Sequence, residues 1–307
     1  MPSTVIRRML DLAGLDVPLV EITGSADGPL LTVISGVHGC EYASMAGVRR
    51  WTRSLESREL RGRVRAVPVL NLPSFWARTP FVVPDDGKNL NRCFPGDASG
   101  TLADRLAYAT FQQLITGSDA LIDAHCGDMV EALEPFTLYE TGPAEAKASE
   151  IATAYGLPYV IRQEPGPDRA VGGTTSSAAA AIGIPAITAE SGECGLIQEE
   201  AVAAHVRGLD RVLATLGMTD RPATADGEPP TYLTRFIWLR CDKAGWWEPA
   251  VRTGEQVVEG QVLGTVSTLD GGEVLQTIYA PAVGVPMFIT SSPAVAEDGL
   301  LLGLGAS

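Results

Sequence analysis

The strongest constraint on this chain is a change of rhythm near residue 217. Before it, short β-branched apolar runs alternate with longer segments of helical spacing. The runs LLTVISGV (30–37), VRAVPVL (64–70), DALIDA (119–124), LPYVI (157–161) and IPAITA (184–189) read as buried strands. Between two of them, a helix from Tyr42 to about Leu55 would place Met45, Val48 and Leu55 on one face. Further helices are expected at about 102–116, 144–155 and 196–216, the last carrying Val202, Val206, Leu209, Leu213 and Leu216 in steps of four and three. Strands alternating with helices predict an α/β unit whose largely parallel sheet is covered on both faces. After the polar, Pro- and Gly-containing stretch MTDRPATADGEPP (218–230), helical spacing disappears and short apolar runs are punctuated by glycine. This predicts one domain over 1–222 and a small all-β module over 231–307.

Charge narrows the partners. The chain has 23 Lys and Arg against 37 Asp and Glu, a formal charge of −14. Such a chain lacks the concentrated basic face that nucleic acid or an anionic membrane requires. The opening MPSTVIRRMLDLAGLD has no apolar core and is not read as a secretory signal. No apolar run approaches the roughly 20 residues that span a bilayer. The five cysteines (Cys40, Cys93, Cys126, Cys194 and Cys241) are scattered, with no CxxC pair. They read as reduced, mostly buried thiols and point to a cytoplasmic setting. The expected partner is a small molecule, and a homo-oligomer is compatible with this composition.

Three clusters carry chemistry. His38 and Glu41 follow the first strand as H-x-x-E, where a helix begins and residues i and i+3 face the same way. His125 ends the strand LIDAH. Both histidines therefore stop at the carboxyl ends of expected buried strands, where an α/β sheet builds its site. H-x-x-E alone is weak, but two His and one Glu form the three-ligand set of catalytic zinc sites. Gly36, Gly39 and Gly127 would let backbone approach closely. The second cluster, PDDGKNLNRCFPG (84–96), is a loop that groups Asp86, Asn89, Asn91 and Arg92. An Arg beside an Asn can clamp a carboxylate, and Arg78 is a further cation within possible reach. In the third, IPAITAESGECG (184–195), Glu190 ends a strand and is a candidate general base, while Glu193 is read as solvated. His205 is read as a bland, partly exposed residue on the flank of the last helix. Trp246 and Trp247 are read as packing in the β module.

Together these clusters resemble the succinylglutamate desuccinylase and aspartoacylase family, zinc amidohydrolases with a zinc-carboxypeptidase fold. SGVHGCE looks like the family's G-x-H-G-x-E zinc motif and IDAHCG like its D-x-H-x-G segment, which implies His38, Glu41 and His125 as ligands of one Zn²⁺ per chain. DGKNLNRCFPG is similar to D-G-x-N-L-N-R-x-F-P-G, implying Asn91 and Arg92 as the substrate-carboxylate pair. IPAITAESG resembles the strand that ends in the catalytic Glu, here Glu190. The tail resembles the family's β module, itself similar to a biotinyl or lipoyl carrier. Its VSTLDGGEV hairpin lacks the lysine a carrier needs, so a structural or cleft-shaping role is expected. The sequence departs from the family at Cys126, at Glu193 and in GGTTSSAAAA (172–181), where many relatives carry an arginine near the place of Ser176.

The expected activity is zinc-dependent hydrolysis of an amide in a small N-acyl amino acid. Glu190 would serve as general base, Arg78 as the cation beside the oxyanion, and Asn91, Arg92, Asn89 and Asp86 as substrate-binding residues. The substrate should carry one carboxylate and a side chain that is not strongly acidic. A carboxypeptidase or esterase is the alternative on the same machinery. A non-catalytic binding protein is disfavoured because His38, Glu41, His125 and Glu190 are all present.

Overall fold

The computed structural model describes residues 3–56, 58–164, 173–220 and 228–307. Its first part runs β1 (Thr4–Leu12), β2 (Leu15–Thr23), β3 (Ala26–Ser35), α1 (Tyr42–Ser54), β4 (Arg61–Val67), α2 (Leu72–Ala77), α3 (Leu102–Thr110), β5 (Ala120–His125), β6 (Glu131–Leu133), β7 (Phe136–Glu140), α4 (Glu145–Tyr155), β8 (Tyr159–Gln163), α5 (Thr175–Ala181), β9 (Ala186–Glu190) and α6 (Glu199–Thr215). The remainder is all β: β10 (Thr231–Leu233), β11 (Arg235–Arg240), β12 (Gly245–Pro249), β13 (Val262–Ser267), β14 (Val274–Tyr279), β15 (Val285–Thr290), β16 (Ala294–Val295) and β17 (Leu300–Ala306).

Nine strands form one sheet in the order β1-β2-β4-β3-β5-β9-β7-β8-β10. Its centre, β4-β3-β5-β9, is parallel, whereas β7 runs antiparallel to β9 and β1-β2-β4 pair antiparallel. The central strands are buried on both sides, which explains their continuous apolar runs. Side chains alternate across the pleat: Leu31, Val33, Ile122, Ala124, Ile187 and Ala189 pack against α1, α4 and α6. On the opposite face, Ile34, Leu121 and Ala186 pack against α3 and α5. The five strands read from the sequence are β3, β4, β5, β8 and β9. The β1-β2 hairpin carries no such signal because β1 is largely solvent-facing, so its sequence lacks an apolar run.

The last part builds two four-stranded sheets, β11-β17-β15-β6 and β14-β13-β12-β16. Trp247 is buried between them with Val251, Leu263 and Leu302, and Trp246 stays partly exposed. Hydrogen bonding crosses the boundary expected between 222 and 231. β10 pairs in parallel with β8 of the large sheet, and β6 pairs antiparallel with β15. Residue 222 itself lies outside the described residues. None of the described helices is long and apolar enough to cross a membrane.

Candidate active site

Three neighbouring parallel strands end side by side. His125 and Glu190 are the last residues of β5 and β9 and are directly paired in register. β3 lies on the other side of β5, with Ser35 opposite Ala124, and His38 follows three residues later. Glu41 sits at the residue before α1. Close backbone passage makes this corner possible. A Cβ on Gly39 would meet the Phe75 nitrogen at 2.2 Å, and one on Gly127 would meet the Glu131 carbonyl oxygen at 2.4 Å.

His38, Glu41 and His125 are all buried and offer ligand atoms within 4.8 Å of one another. His38 Nδ1 lies 2.5 Å from Glu41 Oε1, and His125 Nδ1 lies 2.8 Å from Glu41 Oε2. Each ring's remaining nitrogen has an outer partner: His38 Nε2 is 3.1 Å from Asn89 Oδ1, and His125 Nε2 is 2.8 Å from Asp123 Oδ2. Metal-ligating histidines are held this way, with the second nitrogen fixing ring and tautomer. Two imidazole nitrogens and one carboxylate oxygen, converging from one side, therefore fit a metal such as zinc. Asp123 is in turn held by the Thr175 hydroxyl.

The electrostatics are those of a buried charge cluster. Burial alone would raise Glu41, but charge on His125 and then on His38 outweighs it and holds the carboxyl down at about 2. Burial works against charge on His125 as well, yet Asp123 and Glu41 carry its imidazole well above the usual range. Glu190 is pushed well above the carboxylate range, first by burial and then by the carboxylates of Glu41, Glu131 and Asp123, with His125 opposing. A bound cation would add to that opposing pull. Glu190 Oε2 is buried with no hydrogen-bond partner among the described residues, so it is open to accept a proton or a donor from a ligand.

The corner opens into a cavity of about 540 Å³. Asn89, Asn91 and Arg92 line it beside His38 and His125. Asn89 is a partner of His38, and Asn91 is braced by Thr175, whose backbone N donates to its Oδ1 at 3.0 Å. Ser176 also lines the cavity, hydrogen-bonded to Thr188 at 3.1 Å.

Two expected site residues are elsewhere. Asp86 accepts from Ala103 N at 2.8 Å and Lys88 N at 3.1 Å, so its carboxylate is used to hold the start of α3 and does not line the cavity. Arg78 closes α2 as a left-handed cap with φ 54°, is exposed, and does not line the cavity. Two readings of bystanders also change. Glu193 is only partly exposed and accepts from Leu133 N at 3.2 Å. His205 is fully buried, with Nδ1 2.8 Å from the Tyr155 hydroxyl and Nε2 3.1 Å from the Ser191 carbonyl oxygen. It faces Gly47 of α1, where a Cβ would come within 2.7 Å of its own Cβ, so the flank of α6 that looked free is packed. Arg162 of β8 is paired with Glu145 at 2.7 Å and with Glu164.

Residues without a motif complete the cavity. Glu131 lines it, its carboxyl pushed up to about 7 by burial and then by Glu41. Phe136 comes from β7, Phe236, Trp238 and Arg240 from β11, and Phe288 from β15. The alternation of Phe236, Trp238 and Arg240 along one strand was the only trace of that wall in the sequence.

Comparison with known proteins agrees with this geometry. The chain is 29% identical over 268 residues, 85% of its length and 77% of the relative's, to an N-alpha-acetyl-L-2,4-diaminobutyric acid deacetylase of Halomonas elongata. The product-bound structure of the ectoine utilization protein EutE (DoeB) from Ruegeria pomeroyi superposes with a TM-score of 0.88 at 22% identity, covering 100% of this chain and 96% of that one. A succinylglutamate desuccinylase/aspartoacylase from Rhodobacter sphaeroides gives a TM-score of 0.83 at 22% identity, over 98% and 94%. Residues 27–216, which hold all four of His38, Glu41, His125 and Glu190, match the succinylglutamate desuccinylase/aspartoacylase catalytic domain. The chain belongs to the succinylglutamate desuccinylase/aspartoacylase family.

Proposed function

We propose that the protein is a zinc-dependent deacylase that hydrolyses the amide bond of a small N-acyl amino acid. The observation that carries this reading is the convergence of His38, Glu41, His125 and Glu190 at the ends of three adjacent strands, open to one cavity. His38, Glu41 and His125 would hold the zinc. When bound there, zinc supplies Lewis acidity, acidifying water and polarising an acyl carbonyl. Glu190, with one carboxylate oxygen unengaged, takes the proton of the attacking water and delivers it to the leaving amine. Asp123 and Asn89 keep the two imidazoles in place through their outer nitrogens. Arg92 meets the substrate carboxylate, which orients the amide, and Asn91 braces the loop that carries it.

The side chain of the substrate is neutral or cationic. The stretch 173–181 around Ser176 contains no arginine, and Glu131 places a further carboxyl along the cavity beside Glu190. A second substrate carboxylate would be buried beside groups of its own sign, which is costly. The relative from Halomonas elongata acts on a diamino acid derivative, in line with this reading.

The test is metal analysis of the purified chain together with amine release from N-acetyl derivatives of neutral, diamino and acidic amino acids, with peptides and esters alongside. About one zinc per chain and turnover of neutral or diamino derivatives are expected. A protein without zinc, or one that cleaves only peptides or esters, would overturn the deacylase reading. A preference for the acidic derivatives would overturn the side-chain assignment alone.

A further inference from the structure

The cavity holds two guanidinium groups among the described residues, one from each part of the chain. Arg92 follows the NLN stretch of the first part. Arg240 is the last residue of β11 in the second, on the same face of the strand as Phe236 and Trp238. Arg92 Nη1 donates to the neighbouring Asn91 carbonyl oxygen at 2.7 Å, and no carboxylate lies within ion-pair distance of it among the described residues. Arg240 Nη1 donates to the Asp298 carbonyl oxygen at 2.6 Å, with the exposed Asp298 carboxylate 3.8 Å away. Each arginine thus spends one nitrogen on a backbone carbonyl that aims it, and its other nitrogens have no hydrogen-bond partner among the described residues.

Two like charges in one cavity repel. Burial disfavours the charge on Arg92, and Arg240 adds to that effect, while Glu131 opposes it. Glu131 is a poor fixed counter-ion, since its own carboxyl is held at about 7 and accepts from Asp128 N at 3.2 Å. One anion between the guanidiniums would relieve both, and a carboxylate has two oxygens and enough lone pairs to accept from two forks.

We propose that Arg240, delivered by the C-terminal module, joins Arg92 in gripping the substrate's α-carboxylate, so that the module supplies half of the anion site. This rests on the deacylase reading and deepens it. Arg240 is placed here as a binding residue. It also accounts for what the module does at the cavity: β11 brings an apolar surface and a cation to the same wall.

The experiment compares wild type, Arg240→Gln, Arg92→Gln and the double variant. Each is assayed on an N-acetyl amino acid and on its α-carboxamide, which keeps the amide bond and removes the anion. Each single substitution is expected to reduce kcat/KM for the carboxylate by about tenfold to a hundredfold, chiefly through KM, as for a lost charge-assisted hydrogen bond. The carboxamide should fall much less. The double variant should lose less than the product of the two single losses, because both arginines share one anion. Equal losses on carboxylate and carboxamide with Arg240→Gln would reduce Arg240 to a structural partner of Asp298 and overturn the proposal. No loss on either substrate would overturn it too. If wild type cleaves no N-acyl amino acid, the deacylase reading itself fails. If it cleaves them and only the Arg240 pattern is missing, this inference fails alone.

Discussion

The two sides of the cavity are made in different ways. The corner that could hold a metal is assembled at the ends of β3, β5 and β9, strands locked into register by backbone hydrogen bonds. Each position there requires a particular donor atom, so residue type and place are both constrained. The opposite wall comes from β6, β11 and β15, joined through pairs such as Phe288 with Leu133. It supplies shape, apolar surface and one guanidinium, which many sequences could provide. Chemistry that depends on identified atoms leaves short motifs, whereas chemistry that depends on enclosure leaves only strand alternation.

Removing a ligand separates the two sides most sharply. His125→Ala should lose most of its zinc and essentially all turnover, since two of three donors make an incomplete site, whereas Phe236→Ala should keep its zinc. Metal content after dialysis decides this, and a zinc-replete His125→Ala would break the division. Next, Glu190→Gln should retain zinc and lose about 10²–10⁴-fold in kcat with little change in KM. Near-normal kcat would remove Glu190 from proton transfer. One step further out, Asp123→Asn should weaken metal affinity by about 10–100-fold, read by competition with a chelating dye. An unchanged affinity would show that His125 is held in place without it.

On the far wall the effects should be smaller and of a different kind. Trp238→Ala should raise KM by about two- to tenfold, corresponding to about 0.5–1.5 kcal/mol for an aromatic contact, at unchanged zinc content. A fall in kcat alone would mean that the wall takes part in catalysis rather than enclosure.

The smallest effect on activity is expected at His205, where stability is the readout. Burial holds its imidazole down to about 4 in the folded chain, against about 6.5 when unfolded. The folded state therefore favours neutral His205, a contribution that is complete above about pH 6.5 and is lost as pH falls toward 4. The full span is about 3 kcal/mol. His205→Gln should be less stable at pH 7, and its deficit relative to wild type should shrink between pH 6.5 and 4.5 in urea titrations. A deficit independent of pH would mean that His205 stays neutral through both states.

The same division explains what could be read from sequence. His125 and Glu190 were legible because a strand end fixes where a side chain goes, and His38 and Glu41 because the short turn between β3 and α1 sets them three residues apart at a helix start. Asn89, Asn91, Arg92, Asp86 and Arg78 lie in or near loops, where composition tells the chemistry available but not its direction. Hence Asp86 proved to hold α3, Arg78 to end α2, and Asn89 to support His38. His205 was misjudged because α6 packs on α1 as well as on the sheet, and a glycine on the neighbouring helix is a faint signal for that contact. The β1-β2 hairpin escaped because β1 faces solvent and carries no apolar run, and the antiparallel β7 because it pairs with β9, remote in sequence.

The exchange of β6 and β10 between the two parts has an engineering consequence. A cut near residue 230 would strip β8 of its outer neighbour and leave β6 without a sheet, while removing Phe236, Trp238, Arg240 and Phe288 from the cavity. The chain is stitched rather than concatenated. The β module cannot be swapped for a homologue's as a cassette without recutting both seams, and heat should melt the molecule as one cooperative unit.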